Sequence, residues 1–336
     1  MEQQDVQQLF FQHIKNNLPS HLSLVDEIAE LLNISNDSAY RRIRGEKGLS
    51  FDEIRTLCTH FKISLDQWLY IKSDSIIFNG LLADSTNFGF ELYLNDILRQ
   101  LQFMNSFEKS EVMYLAKDVP IFHLFNYHEL AAFKCFFWMK TILQYPFFGK
   151  SVFVMDDFIQ PLEQTGKKIL EEYNKCSSHE IWNVETVHVA IRQIEYYKDT
   201  RMFASAQDIL DLYTALEKTL DHIEKQAELG FKFPLGTSSL QKKGVYKLYV
   251  NEFILGDNTV FAVLNDTKVA YINHSVLNYL MTRDTTFTNY TYQHFQNIIR
   301  KSTLISDVGE KERSRFFNAM REKIHNRKKA VNHYSV

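Results

Sequence analysis

The chain has 336 residues, enough for two or three domains with a substantial buried core. Its hydrophobic content of 45%, charged content of 24% and formal net charge of -3 are ordinary for a globular protein. So balanced a charge excludes any global pull toward nucleic acid, and a partner of that kind must be held by a local patch.

Other bulk features narrow the reading. Gly 11 and Pro 5 are low counts, which predicts long helices and few linkers. The 27 Phe and 17 Tyr suit well-filled cores or an apolar ligand cavity, and core filling has the stronger prior. Cys58, Cys135 and Cys176 lie too far apart for a CxxC metal pair and form no disulfide framework; Cys58 and Cys135 sit among apolar residues, as buried small hydrophobes do. The opening MEQQDVQQLF is polar and acidic rather than basic then apolar. The most apolar run, Ala131 to Leu143, holds Lys134 and Lys140 and is too short to span a bilayer. A cytoplasmic protein with no membrane partner is the expectation.

In chain order, Val6 to Asn17 carries Val6, Leu9, Phe10, His13 and Ile14 at helical spacing, and Pro19 stops it. Ser23 is placed to cap a second helix, whose Leu24, Ile28, Leu31 and Leu32 form one stripe. Asn33-Ile34-Ser35 makes a tight turn. A third helix runs from about Asn36 to Arg44, and Gly45 supplies a left-handed stop. Ser50 and Glu53 are spaced as a capping box for a fourth helix through Phe61, and Ser64 caps a fifth, Leu65 to Tyr70.

The third helix carries the chemistry. At about 100° per residue, Ala39 and Ile43 fall together and face a core with Ile34, while Arg41 lies nearly opposite. Asp37 and Arg44 flank Arg41; Tyr40 borders the apolar face on one side, Arg42 and Ser38 on the other. With Lys47, the stretch from Asn33 to Ser50 holds four basic groups against Asp37 and Glu46. A solvated helix face is the bland reading of such a run. Against it, the acidic residues at i±4, Asp37 to Arg41 and Glu46 to Arg42, are too few to balance the basic groups, and a short turn joins this helix to another amphipathic one. That arrangement is a helix-turn-helix, whose second helix enters the major groove of DNA.

Residues Ser23 to Leu69 resemble the helix-turn-helix domains of the phage lambda repressor and Cro superfamily, and are most similar to the BetR-like and Xre-like regulators of Bacteroidetes-type bacteria. The matching marks are Ala29 in the first motif helix, Ile34-Ser35 in the turn, R-x-x-G from Arg42 to Gly45, and the run from Glu53 to Asp66. Asn33 stands where glycine is usual, which suits a residue that also visits left-handed backbone. Arg42 stands where the family usually carries an aliphatic side chain. The resemblance covers about one-fifth of the chain. It implies a lambda-repressor-like DNA-binding domain over residues 1–75.

Reach then assigns roles. Arg41 is the candidate for bidentate reading of a guanine edge. Asn36 and Ser38, after Ser35 at the helix start, are candidates for contacts to bases or phosphate. Arg42, Arg44 and Lys47 are expected as phosphate clamps. Tyr40 has two equal readings, packing on a thymine methyl or sugar, or finishing the core.

Residues 85–336 read as a larger α+β or α/β domain, so that the whole chain is mainly α with a mixed α/β portion. Helical patterns span Phe88 to Phe107, Glu129 to Leu143, Ile169 to Asn174, Glu185 to Asp199 and Ala206 to Leu229, the last with Gly230 as C-cap. Strands are expected at Glu111 to Lys117, Val245 to Ile254, Thr259 to Asn265 and Lys268 to Asn273, with hairpin turns at Gly256-Asp257 and Asp266-Thr267. Two further helices lie around Tyr290 to Lys301 and Glu310 to His325. This domain loosely resembles the effector-sensing domains of bacterial regulators, including catalytically silent phospholipase D-like ones, but lacks the H-x-K-x-x-x-x-D signature of active members.

No nucleotide-binding, metalloprotease or serine-hydrolase motif occurs, and no cofactor or catalytic residue is assigned. His123 and His128, at i, i+5, fall on different helix faces. Met155-Asp156-Asp157 has no partner set. Pro120 to Phe148 is the candidate wall of an apolar pocket, with His123, Tyr127 and His128 as polar anchors; solid core is the competing reading for its rings. The basic stretch Lys311 to Lys329 reads as a packed helix with a solvated face. The expectation is a non-enzymatic, cytoplasmic, sequence-specific transcriptional regulator. Its partners are double-stranded DNA, a second copy of itself and, as a candidate, a small-molecule effector. The alternative is a protein-interaction or sensor module whose helix-turn-helix no longer binds DNA.

Overall fold

The computed structural model describes residues 6–18, 22–61, 63, 65, 76–80, 82, 89–157, 160–237, 241–253 and 256–331. The expected fifth helix, Leu65 to Tyr70, falls outside them apart from its first residue. The chain divides into two compact units, Met1–Ile77 and Phe78–Val336.

The first unit contains α1 (Val6–Asn17), α2 (Leu24–Leu32), α3 (Asn36–Ile43) and α4 (Phe51–Phe61). Phe10, Phe11 and Ile14 from α1 meet Ile28 and Ala29 from α2, Ala39 from α3 and Leu57 from α4 in one core. The buried face of α1 is rotated from the expected stripe: Phe11 is inside while Val6 and Leu9 are exposed. Ser23 opens α2 without a side-chain cap bond, its carbonyl accepting the Glu27 N–H. Asn33 closes α2 in the left-handed region at φ 51°, one of the few side chains that tolerates it. At the start of α4 the capping box forms in both directions: Ser50 N–H donates to Glu53 Oε2 at 2.9 Å, and Glu53 N–H to Ser50 Oγ at 3.2 Å.

The second unit is α+β. Its strands are β1 (Ser110–Leu115), β2 (Ser177–Trp182), β3 (Tyr246–Val250), β4 (Thr259–Leu264), β5 (Thr267–Asn273), β6 (Tyr279–Thr282) and β7 (Thr303–Leu304). They form one sheet in the order β6-β5-β4-β1-β2-β3-β7. β1, β2 and β3 run parallel; β4, β5 and β6 form an antiparallel meander joined to β1, and β7 is an antiparallel edge.

Alternation along the strands sends Val112, Tyr114, Trp182, Leu248 and Ala262 into a large core beneath most of the helices. Met113, Leu115, Ile181, Tyr249 and Phe261 face the other way, where Phe295 of α11 (Thr285–Arg300) covers them. The helices of the larger layer are α5 (Phe90–Asn105), α6 (Ile121–Leu124), α7 (His128–Phe137), α8 (Gln160–Lys175), α9 (His188–Asp199), α10 (Ala206–Leu229) and α12 (Glu310–Val331). α7 stops short of the expected Leu143, because Trp138–Ile142 widens into a π turn. Gly230 ends α10 in the left-handed region at φ 70°, with the Asp307 carboxylate where a side chain would stand.

Two expectations about the sheet are corrected. β3 and β4 are not a hairpin around Gly256-Asp257: β1 and β2 lie between them. The connection therefore crosses the carboxyl ends of β2 and β1, and Thr259 enters the sheet opposite Leu115. The β4–β5 hairpin exists, but Leu264 pairs with Thr267, so its two-residue loop is Asn265-Asp266, one residue earlier than expected. Asn265 takes the positive φ of 50° that this loop needs.

Candidate nucleic-acid interface

In α3 the apolar side does what the helical wheel requires. Ala39 is fully buried, and Ile34 and Ile43 pack beside it on the first-unit core. Ser35 is the N-cap: its Oγ accepts the Ser38 N–H at 3.3 Å and its hydroxyl bonds Ser38 Oγ at 3.1 Å. Asn36 is exposed, with Nδ2 donating to Asp26 Oδ1 at 2.9 Å. Tyr40 is 49% exposed, so it does not finish the core. The Arg44 guanidinium lies 5.2 Å from its ring centroid.

Arg41, Arg44 and Lys47 lie on the exposed surface. Glu46 stands between the two arginines, 3.9 Å from Arg41 Nε and 3.7 Å from Arg44 Nη1. It follows the helix, five residues after Arg41 and two after Arg44. All three side chains of this cluster are half exposed or more, and such long, solvated pairs are worth at most about 1 kcal/mol. The arginines stay available to another anion.

Arg42 is a correction. It was expected among the phosphate clamps, yet it is 5% exposed. Its Nε and Nη2 donate to Glu53 Oε1 at 3.0 and 2.6 Å, and Nη1 to the Ser38 carbonyl at 3.1 Å. Burial by itself would raise the Glu53 carboxyl. The Arg42 hydrogen bonds and charge, with the Ser50 N–H, hold it below the usual carboxylate range. This guanidinium fills the position where the resemblance led to an aliphatic side chain. It ties α3 to α4 and leaves Ser35, Asn36, Ser38, Tyr40, Arg41, Arg44 and Lys47 as the candidate face.

This face is held by residues far along the chain. Gln7 in α1 donates through Nε2 to the carbonyls of Arg42 and Lys47, each at 2.7 Å, and accepts the Leu49 N–H at 3.0 Å. Gln8 Nε2 bonds the Arg44 carbonyl at 2.6 Å. Two amides thus fasten the end of α3 and the following loop to α1, through partners some forty residues away.

The other candidate segment behaves differently. His123 is not a pocket anchor: it is buried, with Nε2 2.9 Å from Glu180 Oε1. Glu180 has no exposed surface, and it also accepts from Trp182 Nε1 at 2.8 Å, Tyr246 Oη at 3.0 Å and Tyr173 Oη. Burial would push this carboxyl up. His123, Lys232 and Tyr173 together bring it down to about 2. Lys232, also fully buried, sits 3.3 Å from the Tyr173 ring centroid and donates to the Tyr173 carbonyl, and burial lowers its ammonium to about 8. Tyr127 packs partly against the core with its hydroxyl donating to the Lys218 carbonyl, and His128 is exposed beside Glu163. Phe133, Phe137 and Trp138 are packed core, while Phe147 is exposed.

The basic C-terminal helix is likewise spoken for. Arg321 bonds Asp221 and Glu224, and Lys328 bonds Glu217, all on α10. Its basic face is matched to acidic residues rather than simply solvated. Among the described residues, no group of three His, Cys, Asp or Glu is placed to hold a metal, and no helix is long and apolar enough to cross a membrane.

No protein-family model matches the chain, no curated protein matches its sequence, and no solved structure matches its fold.

Proposed function

We propose that the protein is a sequence-specific DNA-binding transcriptional regulator whose α3 enters the major groove. The observation that carries this reading is the α2–turn–α3 unit. Its left-handed Asn33 sets the turn, its inner face is closed by Ala39, and its outer face offers Arg41, Arg44 and Lys47 around one exposed carboxylate. Arg41 reads a guanine edge, and Arg44 and Lys47 hold phosphates. Asn36, Ser38 and the Ser35 end of the helix lie nearest the backbone or bases, and Tyr40 packs against sugar or a thymine methyl. The second unit dimerises the chain and senses a small effector. A two-fold dimer then reads a near-palindrome with half-sites about one helical turn apart.

A second reading has its own support. Asp26, bonded to Asn36, and Glu46, between the arginines, place two carboxylates on this same face. Both repel phosphate, as expected of an interaction module that has left DNA. Genomic footprinting of the tagged protein decides between them. Enriched sites sharing a near-palindrome support the regulator. A footprint without enriched sites, from a protein that still pulls down a defined partner, transfers the reading to the interaction module.

A further inference from the structure

The strand order creates a cleft that the expected pocket wall did not describe. β1 leads to β2 on one side, but its other neighbour is β4, which arrives from β3 across the carboxyl ends of β2 and β1. The connection from β1 leaves and the β3–β4 crossing arrives at this same end of the sheet, the carboxyl end at which ligands of α/β sheets bind. A cavity of about 300 Å³ lies there, beside Lys117 and Asp118 at the end of β1.

Its lining is divided. Tyr93, Tyr114, Trp138 and Tyr279 supply aromatic wall, and Ile121 and Leu124 add aliphatic surface. At the β1 end, Asn258 Oδ1 accepts the N–H groups of Lys117 and Asp118 at 2.9 and 3.3 Å, holding the crossing loop against the strand. Lys117 is ion-paired with Asp257 of that loop, both about half exposed. Asp118 is already committed: its Oδ2 takes the buried Lys134 ammonium at 3.0 Å, and Lys134 also bonds Gln193 Oε1 at 2.7 Å. Asn273 also lines the cavity, but its side-chain oxygen is shut off from solvent and has no hydrogen-bond partner among the described residues.

We propose that this cleft binds a free amino acid with an apolar side chain. Lys117 and Asp257 form a plus–minus pair at the rim of an aromatic chamber. A pair this exposed is weakly held, so a ligand bringing both opposite charges can exchange with it. The α-carboxylate goes to Lys117, the α-ammonium to Asp257, and the side chain to the aromatic wall. Since Asp118 already has Lys134, the chamber carries no surplus charge, and a singly charged ligand leaves one rim group unpaired. The volume, at the small end for ligand sites, suits an amino acid and excludes a dinucleotide. This site deepens the sensing role proposed for the second unit; amino-acid binding itself stands whether or not the first unit holds DNA.

The test is thermal melting of the full chain with about 10 mM L-phenylalanine, L-leucine, 2-phenylethylamine or 3-phenylpropionate. At least one of the two amino acids should raise the second unit's Tm by about 3 °C or more, as a site of roughly millimolar Kd requires. Each half-charged analogue should give less than half the L-phenylalanine shift. Lys117→Gln and Asp257→Asn, both on exposed side chains, should each weaken the bound amino acid by about tenfold or more, and Val189→Trp should fill the cleft and abolish the shift. No shift with either amino acid overturns the proposal. So does an equal shift with 3-phenylpropionate, or one that survives all three substitutions. Footprinting is scored separately: amino-acid binding without enriched DNA sites rejects the regulator reading and leaves the cleft intact.

Discussion

Arg41 and Arg42 are neighbours in sequence, and the structure assigns them opposite duties, which a pair of alanine substitutions separates. Arg42→Ala removes three hydrogen bonds, two of them to Glu53, and strands a carboxylate that is mostly shielded. Breaking a buried ion pair from one side costs about 3–5 kcal/mol. Glu53 retains the Ser50 N–H and some solvent access, which reduces the expected loss to about 2–3 kcal/mol. A unit of this size has a total stability of only about 4–10 kcal/mol, so its melting transition should fall by about 10 °C or more. Arg41→Ala touches one long exposed contact to Glu46 and should leave stability within about 0.5 kcal/mol. Its cost should appear in DNA binding instead, as about 1–3 kcal/mol at the specific site with relaxed preference at one base pair. Differential scanning calorimetry and fluorescence anisotropy on the selected site, run well below the Arg42→Ala transition, measure the two effects. The double substitution Arg42→Met with Glu53→Gln should regain part of the lost stability, because it removes both charges and keeps a capping residue at position 53. If Arg42→Ala melts like the wild type but loses DNA affinity, the buried assignment is refuted. If Arg41→Ala leaves affinity untouched at moderate salt, α3 is not the recognition helix.

Three other outcomes are expected. Lys47→Ala should weaken all DNA sequences about equally and flatten the salt dependence by about one phosphate contact; a loss confined to one sequence would reassign Lys47 to base reading. Acid should loosen the second unit before the first. Burial, then the influence of His123, depresses His222 to about 4, so the unfolded chain takes up its proton first; that contribution, up to about 3 kcal/mol, is complete above pH 6.5 and lost toward pH 4. The Glu53 contribution, from a depressed carboxyl, is lost only below about pH 4.5, and melts that show the first unit failing earlier would contradict this order. Sedimentation of residues 78–336 should report a dimer; a monomer would count against placing dimerisation in the second unit.

The first unit was legible because its signals are local. The capping box needs only Ser50 and Glu53, the turn needs a residue such as Asn33 that accepts positive φ, and Ala39 and Ile43 share a face by helical geometry alone. Arg42 was misread because its partner lies eleven residues away, on another helix. In the second unit α10 was read to its ends, since a 24-residue apolar stripe closed by glycine has few other meanings. β2 was missed for a physical reason. Ser-Ser-His-Glu-Ile-Trp puts Ser178 and Glu180 on the face that enters the main core, so the usual apolar alternation is inverted. That inversion is stable only because donors from α6, α8, β2 and β3 converge on Glu180, and nothing local announces them.

The same long-range dependence governs the residues expected as pocket anchors. His123, Tyr127 and His128 are the polar residues beside the aromatic run, and sequence proximity alone made them anchors. The fold commits His123 to a carboxylate that must be paired to remain buried, packs Tyr127 partly against the core and leaves His128 exposed beside Glu163. The segment nevertheless supplies part of a cavity, through Ile121, Leu124 and Trp138. What completes the cavity comes from the β3–β4 crossing, which was expected to be a tight hairpin. Had Gly256-Asp257 closed a hairpin, Asp257 and Asn258 would sit beside β3, two strands from Lys117, and no rim would form. Because β4 instead joins β1 on its free side, Asn258 fastens the crossing to Lys117 and Asp118, and the cavity lies at the carboxyl end of β1. The strand order and the lining of this cavity therefore have one physical origin, the arrival of β4 on the free side of β1.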